Sequence, residues 1–138
     1  MPGTTALEQA AAALARRDRS AAALVAYLEE RGVHGDEAAE AVERLRAAGY
    51  VDDRRLAAIR AETLAGRGYG DLAIRADLEL HRVETEQIDE AVGGLVAERV
   101  RAETLASRDG RTPQIARRLV AKGFAADTVA EVMGAEIS

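Results

Sequence analysis

Apolar residues recur every three to four positions along most of the chain, the spacing that places them on one face of a helix. The first segment repeats at Leu7, Ala10 and Leu14, and the next repeats at Leu24 and Leu28. Short stretches with glycine, aspartate or serine separate successive segments, and no run alternates between apolar and polar residues as a strand would. The pattern predicts a succession of short amphipathic helices.

A short sequence recurs within this pattern. The hexapeptide Arg-Ala-Glu-Thr-Leu-Ala occupies Arg60–Ala65 and again Arg101–Ala106, 41 residues later. A shorter form, Leu-Ala-x-Arg, begins at Leu14, Leu64 and Leu105. Repeats of this period are typical of stacked supersecondary units.

The repeat extends to the apolar positions around it. Apolar residues lie at four equivalent positions of every copy, namely Leu24, Ile74 and Ile115; Leu28, Leu78 and Leu119; Val33, Val83 and Phe124; and Val42, Val92 and Met133. Agreement at four positions in three copies indicates one unit used three times. We expect Leu28, Leu78 and Leu119 to be the core centres of their units.

Each unit contains three helical segments. The fold class predicted is therefore all-α, an elongated tandem array of three three-helix modules over residues 1–49, 50–94 and 95–138. Ser20, Asp36 and Thr112 stand where side chains cap the starts of helices, and Pro113 suits a first helical position. In the second module we expect a core that includes Leu56, Ile59, Leu64, Leu72, Ile74 and Leu78.

Composition narrows the class of protein. The 138 residues are 48% hydrophobic and include 31 alanines, one phenylalanine and no tryptophan, a composition that favours helix. The absence of cysteine excludes a disulfide framework, a thiolate metal site and a cysteine nucleophile. No apolar run approaches a membrane span and no secretory signal is visible, so we expect a cytoplasmic protein without membrane contact.

Three short segments resemble the RecX family. Residues Gly49–Ala57 read GYVDDRRLA and are similar to the family's Gly-Tyr-Leu-Asp-Asp-x-Arg-Phe-Ala signature. Leu14–Ser20 resembles its Leu-x-Arg-Arg-x-x-Ser segment, and Gly68–Leu78 resembles its Gly-x-Gly-x-x-x-Ile-x-x-x-Leu segment. The motif residues, which we interpret as mainly structural, are Tyr50, Asp52, Asp53, Arg55, Gly68 and Gly70.

The resemblance implies a regulator of the RecA recombinase. RecX-like proteins bind the helical groove of the RecA–DNA filament and restrain strand exchange and the ATP hydrolysis coupled to it. It thus implies a role in recombination regulation, DNA repair and the SOS response, with no enzymatic activity and no cofactor. We expect a monomer with RecA as its partner and at most weak direct contact with DNA.

A helix-turn-helix DNA-binding regulator is the alternative, because three-helix units with short turns also describe that fold. A recognition helix should present several basic and amide side chains. The segments 36–48 and 127–135, which are the third helices of their modules, are rich in Ala, Glu and Val instead. The net charge of −5 also differs from the basic balance of dedicated nucleic-acid binders.

No pattern indicates a catalytic or metal site. Asp52 and Asp53 form a carboxylate pair, but adjacent residues at a helix entry do not face each other, so we interpret them as a helix start. Gly66–Gly70 lacks the Gly-Lys-Ser/Thr ending of a phosphate loop. His34 and His81 have no partner at the spacing of metal ligands.

Positive charge is concentrated in one segment of the third module. Residues 96–122 contain seven basic and three acidic side chains, a net charge of +4. Equivalent positions of the second module also carry arginine, so we expect the patch to continue there. The predicted partner-binding residues are Arg60, Arg67, Arg75, Arg99, Arg101, Arg108, Arg111, Arg117, Arg118 and Lys122. A patch of this sign suits an acidic protein face or phosphate groups.

Overall fold

The computed structural model describes residues 5–134, and in that range every regular element is a helix. The nine helices of this range are α1 (Ala6–Arg16), α2 (Ala21–Glu30), α3 (Gly35–Ala47), α4 (Asp53–Gly66), α5 (Asp71–Leu80), α6 (Thr85–Gly93), α7 (Glu98–Asp109), α8 (Pro113–Ala121) and α9 (Ala126–Met133). The predicted all-α class, built from three-helix units, is confirmed. The predicted module boundaries lie in connecting segments between helices and stay predictions.

Two compact units account for the described chain. The first unit runs to Leu56 and includes His81–Val83, and the second contains Ala57–Leu80 and the chain from Glu84 onwards. In the first unit α1, α2 and α3 pack against one another. Their core consists of Ala6, Ala10, Ala13, Leu24, Leu28, Val33, Ala38, Ala41, Val42, Leu45 and Val51.

Side-chain caps fix the starts of α1 and α2 in the first unit. Thr5 and Glu8 form a capping box at α1, in which the backbone N–H of Glu8 donates to the Thr5 hydroxyl over 3.0 Å. Ser20 accepts from the backbone N–H of Ala23 at 3.1 Å, and its hydroxyl donates to the carbonyl oxygen of His81. The side chain is fully buried, and these two hydrogen bonds satisfy its polar atom. The predicted cap at Ser20 is confirmed.

The cap predicted at Asp36 is wrong. Helix α3 begins one residue earlier, at Gly35, and its N-cap residue His34 makes no side-chain cap hydrogen bond. Asp36 lies within the first turn instead, together with Glu37. Its carboxylate is favourable there because negative charge near a helix N-terminus interacts well with the helix dipole.

Two aspartates at the start of α4 have separate structural roles. Asp52 accepts a hydrogen bond from the backbone N–H of Arg55 at 3.1 Å and so caps α4. Asp53 accepts from the backbone N–H of Ala21 at 2.8 Å, which satisfies a free amide at the start of α2. The pair therefore connects α2 to the chain that enters α4.

The second unit contains two packed groups. Helix α5 packs against α6, and α7, α8 and α9 pack against one another. Thr112 accepts from the backbone N–H of Ile115 at 3.2 Å and Pro113 occupies the first turn of α8, as predicted. The core of the second group consists of Ala102, Ala106, Ile115, Leu119, Phe124, Val129 and Val132.

Burial confirms the repeat at its central position. Leu28 and Leu78 are completely buried and Leu119 nearly so. In the second module, however, the predicted core positions Ile59 and Leu72 are exposed, Leu72 by 60%. Leu56 and Leu64 are only half-buried.

Alanine replaces the larger residues in the buried face of α4. Ala57 and Ala61 are completely buried there. They are offset by one and two residues from Leu56 and Ile59, and one residue is about 100° around a helix, so a different face points inward. A pattern weighted towards large side chains selects the wrong face where the inward side of the helix consists of alanine.

Candidate partner-binding surface

Most of the predicted basic residues form ion pairs within the second unit. Arg60 makes a two-pronged contact with Asp77, with nitrogen–oxygen distances of 2.7 and 2.8 Å. Hydrogen bonding to that carboxylate raises the pKa of Arg60 above its ordinary value. The other pairs are Arg75–Asp89, Arg99–Glu131, Arg101–Asp71, Arg108–Asp109 and Arg111–Glu103. These six arginines therefore offer less free positive charge than their number suggests.

Arg101 holds the start of α5 against α7. One guanidinium nitrogen lies 2.9 Å from the Asp71 carboxylate, and the other donates to the carbonyl oxygen of Tyr69 over 3.0 Å. Its side chain is only 12% exposed. We infer that this residue organises the second unit, since both of its terminal guanidinium nitrogens donate to internal acceptors, whereas its buried Nε has no partner among the described residues.

Glu98 completes the same network and was not singled out by the sequence. Its carboxylate accepts from the backbone N–H of Asp71 at 2.9 Å and from the hydroxyl of Thr128 at 3.1 Å. A longer contact of 3.4 Å joins it to the backbone N–H of Ala125. One side chain thus satisfies amides at the starts of both α5 and α9, a function that no local pattern indicates.

Replacing Arg101 with methionine is expected to lower the free energy of unfolding by about 2 kcal/mol, because charged hydrogen bonds to partly buried acceptors are lost. Arg99→Met provides the control on the same helix. Its ion pair with Glu131 is exposed on both sides, so we expect a change below about 0.5 kcal/mol. Urea unfolding followed by circular dichroism compares the two variants, and equal stabilities would contradict the structural role of Arg101.

A groove in the second unit brings three of the predicted residues together. Arg67, Arg101 and Arg108 line it with Leu105 and Phe124, and its cavity volume is about 490 Å³. The wall is thus partly apolar and partly basic. Arg101 and Arg108 are ion-paired, so Arg67 is the member whose guanidinium forms no ion pair or hydrogen bond in residues 5–134.

Helix α8 presents the clearest free charge of the predicted set. Arg117 and Arg118 are exposed and form no ion pair with any residue that the structure describes. They are adjacent on α8, whose buried residues are Ile115 and Leu119. Lys122 follows the helix, where its ammonium lies 3.8 Å from the centroid of the Tyr69 ring and donates to the carbonyl oxygen of Arg67.

The family-motif residues serve backbone geometry in several places. Gly68 adopts a positive φ of 88° in the turn after α4. Gly70 donates its N–H to the carbonyl oxygen of Lys122 over 2.9 Å. Tyr50, by contrast, is 71% exposed, and Arg55 is exposed as well.

A second group of arginines was missed by the sequence analysis. Five of them surround Tyr27 in the first unit, namely Arg16, Arg17, Arg19, Arg31 and Arg82. Three lie close together in the sequence and were visible as part of a motif. Arg82 is far away in sequence, so only the fold brings it to this site.

The described residues offer neither a metal site nor a membrane-spanning helix. Residues 5–134 contain no group of three or more histidine, aspartate or glutamate side chains arranged to hold a metal ion. No helix in this part of the chain is long and apolar enough to cross a bilayer.

Family models identify the class of protein that this fold represents. The model for the first three-helix domain of RecX matches residues 6–45, and the model for the second matches residues 52–92. The two matches together cover more than half of the chain. The protein is thus one built from RecX-type three-helix domains. It belongs to the RecX family.

Individual relatives agree with this assignment. Over 88 residues the chain is 41% identical to the regulatory protein RecX of Xanthomonas oryzae and 35% identical to that of Stenotrophomonas maltophilia. These alignments cover 64% of this chain and 54 to 55% of the relatives, so the chain spans about half the length of the curated relatives it matches.

Solved structures agree in fold. A crystal structure of RecX from Lactobacillus salivarius superposes with a TM-score of 0.79 at 18% identity, covering 94% of this chain and 92% of the other. A crystal structure of regulatory protein RecX gives a TM-score of 0.75 at 22% identity, covering 94% of this chain and 71% of the other. At these identities the likeness concerns the fold.

Proposed function

We propose that this protein binds the filament that RecA recombinase forms on DNA and restrains its strand exchange and ATP hydrolysis, with no catalysis of its own. The observation that carries the proposal is the presence of both RecX three-helix domains, at residues 6–45 and 52–92. Binding in the filament groove, a cytoplasmic location and a monomeric state belong to the same proposal.

The contact surface we propose is basic and lies in the second unit. Since the net charge is −5, attraction to an acidic partner face or to filament phosphate must come from a local patch. Arg117 and Arg118 are the best candidates because they are exposed and free of internal ion pairs in the described range. Arg67 and Lys122 extend the patch, and the ion-paired arginines contribute less to it.

The direct test is the ATPase rate of RecA on single-stranded DNA with increasing amounts of this protein. We expect the rate to fall with concentration and strand exchange to fall in parallel. The protein without RecA should hydrolyse no ATP, since no phosphate-binding loop is recognisable in its sequence. An unchanged RecA rate at saturating protein would contradict the proposal.

Charge reversal at the patch tests the surface separately. Arg117→Glu combined with Arg118→Glu is expected to raise the concentration needed for half-maximal inhibition about tenfold at low salt and to flatten its salt dependence, because each reversal replaces attraction with repulsion. The parent and the double variant should have the same helicity by circular dichroism. Equal inhibition by the two proteins at low and moderate salt would contradict this assignment.

A matched control is available on α3. Reversing Arg44 and Arg46 to glutamate changes the net charge by the same amount, and these residues belong to the first unit, whereas the proposed patch belongs to the second. Arg46 pairs with Glu43 in an exposed contact whose energetic contribution is small. We expect the control to inhibit nearly as well as the parent. Equal loss in both variants would indicate a dependence on net charge alone.

A DNA-binding titration distinguishes the proposed filament regulator from the helix-turn-helix alternative. Labelled DNA is titrated with this protein in the presence and in the absence of RecA. A filament regulator should associate far more strongly when RecA is present. Tight binding to a particular duplex sequence without RecA would favour the DNA-binding regulator instead.

A further inference from the structure

A basic groove surrounds Tyr27 in the first unit. Its cavity volume is about 580 Å³. The arginines that line it are Arg16, Arg17, Arg19, Arg31 and Arg82, and the only carboxylate among the lining residues is Glu30. The groove wall thus carries a formal charge of +4 in a protein whose overall charge is −5.

These arginines differ from the six ion-paired arginines of the second unit in having no carboxylate partner. None of the five forms an ion pair with a residue in the described range. Three of them contact Tyr27 instead, with guanidinium carbons 3.6 Å (Arg31), 4.4 Å (Arg19) and 5.7 Å (Arg16) from the ring centroid. Arg16 also donates a hydrogen bond to the tyrosine hydroxyl. An aromatic ring attracts cations but does not neutralise them.

Arg19 shows the electrostatic cost of this arrangement. Its Nε atom is buried and has no hydrogen-bond partner among the described residues. Burial lowers the pKa of Arg19, and the neighbouring Arg17 lowers it further by repulsion. Arg16 and Arg31 act in the same direction, against a raising effect of Tyr27. A bound anion would relieve the repulsion and supply the missing acceptor.

We propose that this groove binds the phosphate backbone of single-stranded DNA. Guanidinium groups match phosphate oxygens in paired hydrogen bonds. Several cations spread along an open groove suit a chain of anions better than one isolated ion. Arg31 already covers the Tyr27 ring, so recognition is of the backbone and independent of base sequence.

The groove concerns this protein alone and does not depend on RecA. If the groove does not bind DNA, the proposed action on the filament is unaffected. If the protein does not act on the filament, DNA binding by the groove is equally unaffected. It also differs from the α8 patch, since all of its lining residues belong to the first unit.

Arg17 and Arg82 are the residues to change, because neither makes a side-chain hydrogen bond within the described range. Arg17→Gln removes charge at an exposed position. Arg82→Asn suits the positive φ of 58° at that residue, since asparagine tolerates such a conformation well. The control is Arg44→Gln with Arg46→Gln, which removes the same charge from α3.

The measurement is fluorescence anisotropy of labelled oligothymidylate, without RecA, over a series of salt concentrations. We expect the parent to bind weakly and with a negative salt slope. The groove variant, which combines Arg17→Gln with Arg82→Asn, should have an affinity at least about fivefold lower. The slope of log K against log salt should become shallower by about 1.4, which is about 0.7 for each lost phosphate contact on a single strand. The control should retain the affinity and slope of the parent.

Four results would overturn the proposal. The first is unchanged binding by the groove variant, and the second is equal weakening by the control. The third is displacement of the oligonucleotide by polyglutamate at a concentration of anionic groups equal to that of unlabelled oligothymidylate, which would indicate an acidic-peptide site. The fourth is competition by inorganic pyrophosphate that is as strong as competition by the oligonucleotide, which would indicate a site for a small phosphate ion.

Discussion

Replacing Gly123 with alanine is expected to lower the free energy of unfolding by about 3 kcal/mol or more, since overpacking and backbone strain add at this position. Gly123 follows α8 with a φ of 98°, a conformation that L side chains rarely adopt. A Cβ atom there would lie 2.6 Å from the backbone nitrogen of Ala73 and closer still to its Cβ. Backbone on both sides leaves no flexible side chain that could yield.

Gly70 forms the other side of the same contact. Its N–H donates to the carbonyl oxygen of Lys122 at 2.9 Å, and the N–H of Leu72 donates to the carbonyl oxygen of Gly123 at 3.0 Å. A Cβ at Gly70 would approach the carbonyl carbon of Gly123 to 2.5 Å. Two glycines are therefore needed for the turn before α5 to contact the turn after α8, and Gly70→Ala should destabilise by a similar amount.

Gly66 supplies the control for both substitutions. It is the last residue of α4, and a Cβ there would meet nothing within 4 Å. Gly66→Ala should leave stability unchanged or raise it by up to about 1 kcal/mol, because alanine restricts the unfolded chain. Thermal and urea unfolding by circular dichroism compare the three variants. A Gly123→Ala protein as stable as Gly66→Ala would show that the close contact does not exist.

Leu78→Ala is expected to cost about 2–5 kcal/mol of unfolding free energy, the range for a leucine whose removal leaves a cavity. Leu78 is completely buried on α5, at the central position of the repeat. The equivalent residues Leu28 and Leu119 are also buried and should show losses in the same range.

Leu80 lies two residues further along the same helix and is 82% exposed. Leu80→Ala removes the same atoms, so it separates burial from any change in helix propensity. We expect its effect to stay below about 0.5 kcal/mol. Urea unfolding of both variants provides the comparison, and similar losses at the two positions would contradict the core assignment.

Regular local features were predictable from the sequence. Leu28, Leu78 and Leu119 follow from a spacing of three to four residues combined with the repeat, and the structure buries all three. The caps at Ser20 and Thr112 follow from short-range chemistry between a side chain and an amide three residues ahead. Such features depend on a few consecutive residues and are therefore visible in the sequence.

Buried alanine positions are the first feature that the sequence pattern does not predict. Ile59 and Leu72 fit a helical pattern as well as the buried positions do, yet both are exposed. In α4 the inward face is formed by Ala57 and Ala61, whose small side chains resemble surface alanines elsewhere in the chain. The face that a helix turns inward is set by the elements packed against it, and the order of residues within one helix does not specify those elements.

The second feature that the sequence does not predict is which surface arginines are free of internal ion pairs. The sequence determined that residues 96–122 are basic, and it determined the RecX motifs with the order of the helices. The tertiary structure decided which arginines are free, because their partners lie far along the chain: Arg60 meets Asp77, 17 residues away, and Arg101 meets Asp71, 30 residues away. It also brought Arg82 to the groove around Tyr27. Helix periodicity is local and can be deduced from neighbouring residues, whereas ion pairs and shared grooves depend on which faces meet after folding.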